Sequence, residues 1–116
     1  MDTQEELVFE TALKSVSVVI DGEKCALKEL TGKQRDQYMN EINAKVRLVN
    51  GKAAGLKNYE GCQAGLLCRC FYDDAGELIK KDTIQAWPAR LQNTLYKKAQ
   101  EISGLDDDAD EDSKND

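Results

Sequence analysis

The chain has 116 residues, 41% of them hydrophobic and 33% charged, enough for one domain with its own core. Its net charge of −6 sits at one end: residues 105–116 hold seven acidic residues and one basic one, which, taken from the totals of 22 and 16, leaves 15 of each in 1–104. A neutral body lacks the positive field that displaces counterions from nucleic acid. No stretch approaches the roughly 18 apolar residues that cross a bilayer.

In chain order, residues 1–14 are polar with isolated apolar positions and read as a flexible arm. Val16, Val18 and Ile20 then alternate with Ser15, Ser17 and Val19, the period of a strand. Asp21-Gly22 supplies the positive-φ positions of a tight turn, and residues 24–27 return, so 15–28 reads as a β-hairpin. Thr31 and Gln34 stand at capping-box spacing. Behind them Tyr38, Met39, Ile42, Val46 and Val49 recur every three or four residues, which predicts a helix over 32–49, ended by Asn50-Gly51. Residues 52–57 read as a connector. Asn58 is placed to cap a second helix on which Tyr59, Cys62, Leu66 and Cys70 share a face. Gly61 and Gly65, four apart, weaken that helix or mark a close helix contact.

Asp73-Asp74-Ala75-Gly76 forms a turn, followed by an extended 77–79 and a short turn led by Asp82. Pro88 fits the first position of a last helix that turns Leu91, Leu95, Ala99 and Ile102 inward and ends at Gly104. The expected fold is therefore α+β and mostly α-helical. An N-terminal β-hairpin packs on about three main helices, the single globular domain spans 15–104, and 105–116 is a disordered acidic tail.

The chain has no histidine, which removes the commonest general base and the commonest transition-metal ligand together. Cys25, Cys62, Cys68 and Cys70 do not take zinc or redox spacing, since Cys68 and Cys70 are only two apart and would face different sides of a helix. They read as reduced, packed thiols. Gly76 placed at the sixth position of a calcium loop would put Phe71 first and Ala75 fifth, where neither ligates. The paired carboxylates lie in charged runs without an apolar setting, and neither a phosphate-binding loop nor a nucleophile elbow is present. The expectation is a binding protein and not an enzyme, with no cofactor and no metal. Trp87, the sole tryptophan, reads first as a core anchor; with Tyr59, Tyr72 and Tyr96 it supplies the candidate partner-binding residues wherever these face outward.

The order of these elements resembles the tail assembly chaperones of long, flexible-tailed bacteriophages. The resemblance runs over about 15–104. It rests on Val18-Val19-Ile20-Asp21-Gly22, then Leu30-Thr31-Gly32-Lys33-Gln34 before a long helix, then Phe71-Tyr72-Asp73-Asp74-Ala75-Gly76, then the Pro88 helix and the charged tail. It implies a protein that coats the tape measure protein and recruits tail tube subunits, without joining the mature virion. It also implies action in the cytoplasm of the host bacterium, where the acidic N-terminus places the chain too; weak self-association would suit that task, and charge and hydropathy leave no nucleic-acid or membrane partner. The resemblance brings no catalytic motif. The rivals are a structural head–tail joining or tail-terminator protein, for which more strand is expected, and an acidic regulatory or inhibitory protein.

Overall fold

The computed structural model describes residues 5–105. The first hairpin joins β1 (Ser15–Ile20) to β2 (Glu23–Lys28) in an unbroken antiparallel register from Ser15↔Lys28 to Ile20↔Glu23. Asp21 (φ 50) and Gly22 (φ 82) both take positive φ, as the favoured two-residue turn requires. The alternation works as a sheet face: Val16, Val18 and Ile20 pack against the core while Ser15, Ser17 and Val19 face out. A third strand, β5 (Phe71–Tyr72), pairs with the other side of β2 at Ala26↔Tyr72 and Leu27↔Phe71, giving the order β1-β2-β5. The centre of the sheet is therefore β2, and Leu27 and Phe71 are fully buried.

Helix α1 (Gly32–Lys45) starts from the capping box. The Gln34 amide donates to Thr31 Oγ1 at 3.2 Å, and the Thr31 amide donates to Gln34 Oε1 at 2.9 Å. The helix stops four residues before the position expected from its apolar period, because Val46 turns extended (φ −68, ψ 131). The chain continues as β3 (Val46–Val49) and β4 (Lys52–Leu56), a second antiparallel hairpin. Its turn, Asn50 (φ 54) and Gly51 (φ 78), has the same backbone form as the first. Val46 and Val49 continue the spacing of Ile42, so periodicity alone did not separate helix from strand. Their β-branches and the Asn-Gly turn favour the hairpin.

The second predicted helix shrinks to α2 (Cys62–Leu67). Its N-cap is Gly61 (φ 76), with no side-chain bond, while Asn58 Oδ1 instead accepts from the Glu60 amide at 2.9 Å. Tight turns carry the chain through 68–70 and release Phe71 into the sheet. Burying Phe71 against Leu27 outweighs the continuation of the helix. Two further helices follow, α3 (Lys81–Gln85) and α4 (Ala89–Ile102). Asp82 lies within the first turn of α3 and does not cap it. Beyond α4, Gly104 takes φ 72, its amide donates to the Glu101 carbonyl, and the Leu105 amide donates to that of Gln100 at 2.9 Å, which closes a Schellman motif. Leu105 packs against the core. The expected disorder of the acidic tail falls on 106–116, outside the described residues.

The expectation of a mostly helical chain built on three main helices is thus corrected. The described residues form four helices and two antiparallel sheets, 39% helix and 24% strand. The core joins Leu27 of β2, Leu66 and Leu67 of α2, Phe71 of β5, Ile84 of α3 and Ala99 of α4. The Phe71 and Trp87 rings meet edge to face at 5.9 Å.

Cys25 and Cys70 are buried, whereas Cys62 and Cys68 are half-buried. Burial pushes the Cys70 thiol up to about 12, and burial followed by the Glu23 carboxylate pushes Cys25 up. Thiol titration of the native protein is expected to proceed in two phases, Cys62 and Cys68 first, with Cys25 and Cys70 reacting only as the fold opens. Peptide mapping after a short pulse of alkylating reagent reads the order.

Candidate functional site

A cleft of about 540 Å³ lies where α1, the root of the second hairpin, α2 and α4 converge. Helix α1 contributes Tyr38 and Ile42, the hairpin contributes Leu56, and α4 contributes Gln92 and Tyr96; Tyr59, Gly61 and Cys62 line the side where the chain enters α2. Tyr38 is buried, and its hydroxyl lies 3.0 Å from that of Tyr96. Burial first, and then this hydrogen bond, raise the Tyr38 phenol well above the ordinary tyrosine range. Tyr38 therefore stays protonated and offers no base, and the contact between the two hydroxyls links α1 to α4. Tyr59 is 70% exposed. Gln92 Nε2 donates to the carbonyls of Gln85 and Trp87 at 3.3 and 3.0 Å, tying α4 to the end of α3.

Beside the cleft, Gly65 lets α2 approach α1 so closely that a Cβ there would collide with the Glu41 carboxylate. Glu41 Oε1 accepts from Arg69 Nη1 at 3.0 Å, and Oε2 from Lys81 Nζ at 3.4 Å. One carboxylate thus ties together α1, the segment after α2, and α3. Burial works to raise the Glu41 carboxyl, but the Arg69 hydrogen bond and the Lys81 charge together outweigh it and hold the group below the usual range. A depressed folded-state pKa contributes stability that is present above the unfolded value, about 4.3 for Glu, and is lost as pH falls through the folded value. The thermal midpoint is therefore expected to fall on acidification below about pH 5, and Glu41→Gln to flatten part of that fall. Parallel midpoint–pH curves for the two proteins read the difference; superimposable slopes would mean that the ion pairs contribute nothing.

The four aromatic residues proposed from sequence do not form one patch. Tyr59 and Tyr96 line the cleft. Tyr72 lies in β5, half-buried, with the Lys28 ammonium 4.8 Å above its ring and its hydroxyl accepting from Gln34 Nε2 at 3.4 Å. Trp87 rests on Phe71 and borders two other surface grooves near β1. Sequence reasoning missed Tyr38, Ile42, Leu56 and Gln92 as cleft residues. The apolar face of α1 signalled the first two, whereas Leu56 was hidden in the supposed connector.

Among the described residues no group of three or more Cys, Asp or Glu side chains is placed to hold a metal ion. Cys68 and Cys70 Sγ instead donate to the Gly65 and Leu66 carbonyls, both at 3.4 Å. Asp73 Oδ1 is occupied by its own turn, accepting from the Ala75 and Glu77 amides at 2.9 and 3.0 Å. No helix of the described residues is long and apolar enough to cross a membrane.

Two small antiparallel sheets set about four helices have a counterpart among solved structures. The fold is similar to that of the bacteriophage HK97 tail assembly chaperone, with a TM-score of 0.53 over 78% of this chain and 85% of that one, at 14% sequence identity. At that identity the likeness is one of fold. No known protein family matches the sequence, and no curated protein matches it.

Proposed function

We propose that this protein is a tail assembly chaperone of a long-tailed bacteriophage, which holds the tape measure protein and brings tail tube subunits to it in the host cytoplasm. The observation that carries the reading is the likeness of fold to the HK97 chaperone, which extends over most of both chains. The order of sequence motifs led to the same class independently. The cleft lined by Tyr38, Ile42, Leu56, Tyr59 and Tyr96 supplies the contact surface: it is partly apolar, carries hydroxyls at its edge, and suits one face of an amphipathic helix.

Co-expression with the tape measure protein of the same genome, followed by pull-down and sizing, tests the reading. The two are expected to co-purify. Tyr59→Ala, at an exposed position, is expected to weaken capture by about 2 kcal/mol, roughly 30-fold, without changing the fold. Failure to co-purify, or recovery of this protein from finished particles, would favour a head–tail joining or tail-terminator protein.

A further inference from the structure

The second hairpin is left without a partner in the body. Strands β3 and β4 pair only with one another, and neither makes extensive contact with another described element. A lone two-stranded hairpin is marginal in water, and here both of its edges are open. It is also the basic part of the body. Residues 42–59 contain Lys45, Arg47, Lys52 and Lys57 and no acidic residue. Taken from the 15 basic and 15 acidic residues of 1–104, they leave 11 basic against 15 acidic elsewhere, so the rest of the body repels an acidic segment. Arg47, Lys52 and Lys57 are exposed. Arg47 Nη2 donates to the Ala54 carbonyl at 3.1 Å and Lys45 Nζ to the Glu60 carbonyl at 2.6 Å, both of them neutral acceptors. Among the described residues none of the four forms an ion pair, whereas Arg35, Arg69, Lys81 and Lys98 each do.

The complementary charge follows α4. Residues 106–116 hold seven acidic residues and Lys114, a net charge of −6. The point they start from is fixed, because the Schellman motif closes α4 and Leu105 packs against the core. Helix α4 runs back along α1: the Leu30 amide meets Ser103 Oγ at 3.0 Å, Tyr38 meets Tyr96, and Ile42 shares the cleft with Gln92. The tail therefore leaves beside the start of α1, and the hairpin stands at the far end of that helix. The 14 residues of α1 put the two about 21 Å apart. The stretch 106–116 spans at most about 36 Å, so Asp110, Glu111, Asp112 and Asp116 come within reach of Arg47 and Lys57 at the root of the hairpin. Of the cations nearer to its start, Arg35 and Lys98 already face Asp36 and Glu101.

We propose that residues 106–116 turn back along α1 and rest on the second hairpin of the same chain, their carboxylates against Arg47 and Lys57. One exposed ion pair is worth little. Tethering compensates, because a short linker holds the two charged segments at an effective concentration in the millimolar range. The contact shields a sheet edge otherwise open to strands of other proteins, and only a competing acidic segment displaces it readily. The inference needs no phage partner and stands apart from the chaperone reading.

Carbodiimide cross-linking of an equal mixture of isotopically heavy and light full chains tests it. The reagent joins a carboxylate to an amine that touches it. Peptide mapping is expected to find residues 110–116 bonded to Lys57, with both peptides carrying the same isotope. The yield should fall about fivefold or more when salt shortens the Debye length to about 3 Å. Hydrogen exchange gives a second reading. Neutralising the tail in the full chain (Asp110→Asn, Glu111→Gln, Asp112→Asn, Asp116→Asn) should speed exchange at the amides of β3 and β4 about threefold or more, and leave β2 unchanged. Circular dichroism of this variant checks that the fold persists. Cross-links to Lys33, Lys97 or Lys98 in place of Lys57, pairs of mixed isotope (which would assign the tail to a second copy), or hairpin exchange that ignores neutralisation would each overturn the proposal.

Discussion

Phe71→Ala is expected to lower the unfolding free energy by about 3–5 kcal/mol, a large share of the roughly 5–15 kcal/mol typical of a domain. Phe71 is fully buried, faces Leu27 across the β2–β5 pair, and meets the edge of Trp87 at 5.9 Å. Its carbonyl accepts from the Ile79 amide at 3.0 Å, so the backbone is held from both sides. A cavity between a sheet and a fixed ring has little to collapse into, which places the cost at the upper end of the range. The neighbouring Tyr72→Ala, at a half-buried position with one long hydrogen bond, should cost about 1 kcal/mol. Urea titration reads both as a shift in midpoint at unchanged slope. A Phe71→Ala loss under about 1.5 kcal/mol would mean that the site repacks freely.

Gly65→Ala inverts an ordinary rule. Alanine in a helix interior normally gains about 1 kcal/mol over glycine. Here the added methyl group would meet the Glu41 carboxylate, which Arg69 and Lys81 hold in place. The expected outcome is a loss of about 2 kcal/mol as the carboxylate is displaced or the helices part. In an Glu41→Ala background the obstacle is gone and the same substitution should become neutral or stabilising. The double-mutant cycle should therefore show a coupling of more than about 1 kcal/mol. Additive effects, or a gain from Gly65→Ala alone, would mean that the two helices are not in close contact at this glycine.

The first hairpin, the capping box of α1 and the inward stripe of α4 were legible because each carries its own local signal. Alternation ends in Asp21-Gly22, Thr31 faces Gln34 at the right interval, and Leu95 and Ala99 repeat at helical spacing. The second hairpin was not legible, since Val46 and Val49 satisfy helical spacing while Val46 and Leu48 alternate as in a strand, and Asn50-Gly51 serves equally as a helix stop and a hairpin turn. Its return strand, Lys52-Ala53-Ala54-Gly55-Leu56, is poor in the residues that favour sheet. The short β5 depends on a partner more than forty residues away, which no local pattern encodes. Leu56, the wall that the hairpin gives the cleft, was lost with it. The Tyr38–Tyr96 contact, 58 residues apart, belongs to tertiary packing alone. The glycine spacing did carry information: the close helix contact it suggested is the approach of Gly65 to Glu41.

The Leu30 amide donates to Ser103 Oγ at 3.0 Å, and β2 packs on α4. Seen during synthesis, this means that the start of the body waits for its end. Each hairpin can close as soon as it leaves the ribosome, within microseconds once its strands are free. Leu27 and its neighbours on the sheet nevertheless keep an open apolar face until Leu95 and Ala99 emerge. At about 5–20 residues per second, the more than seventy residues between Leu30 and Ser103 correspond to several seconds of exposure. Translation speed over residues 31–103, and not the rate of any hairpin, then sets how long the nascent chain remains prone to aggregation.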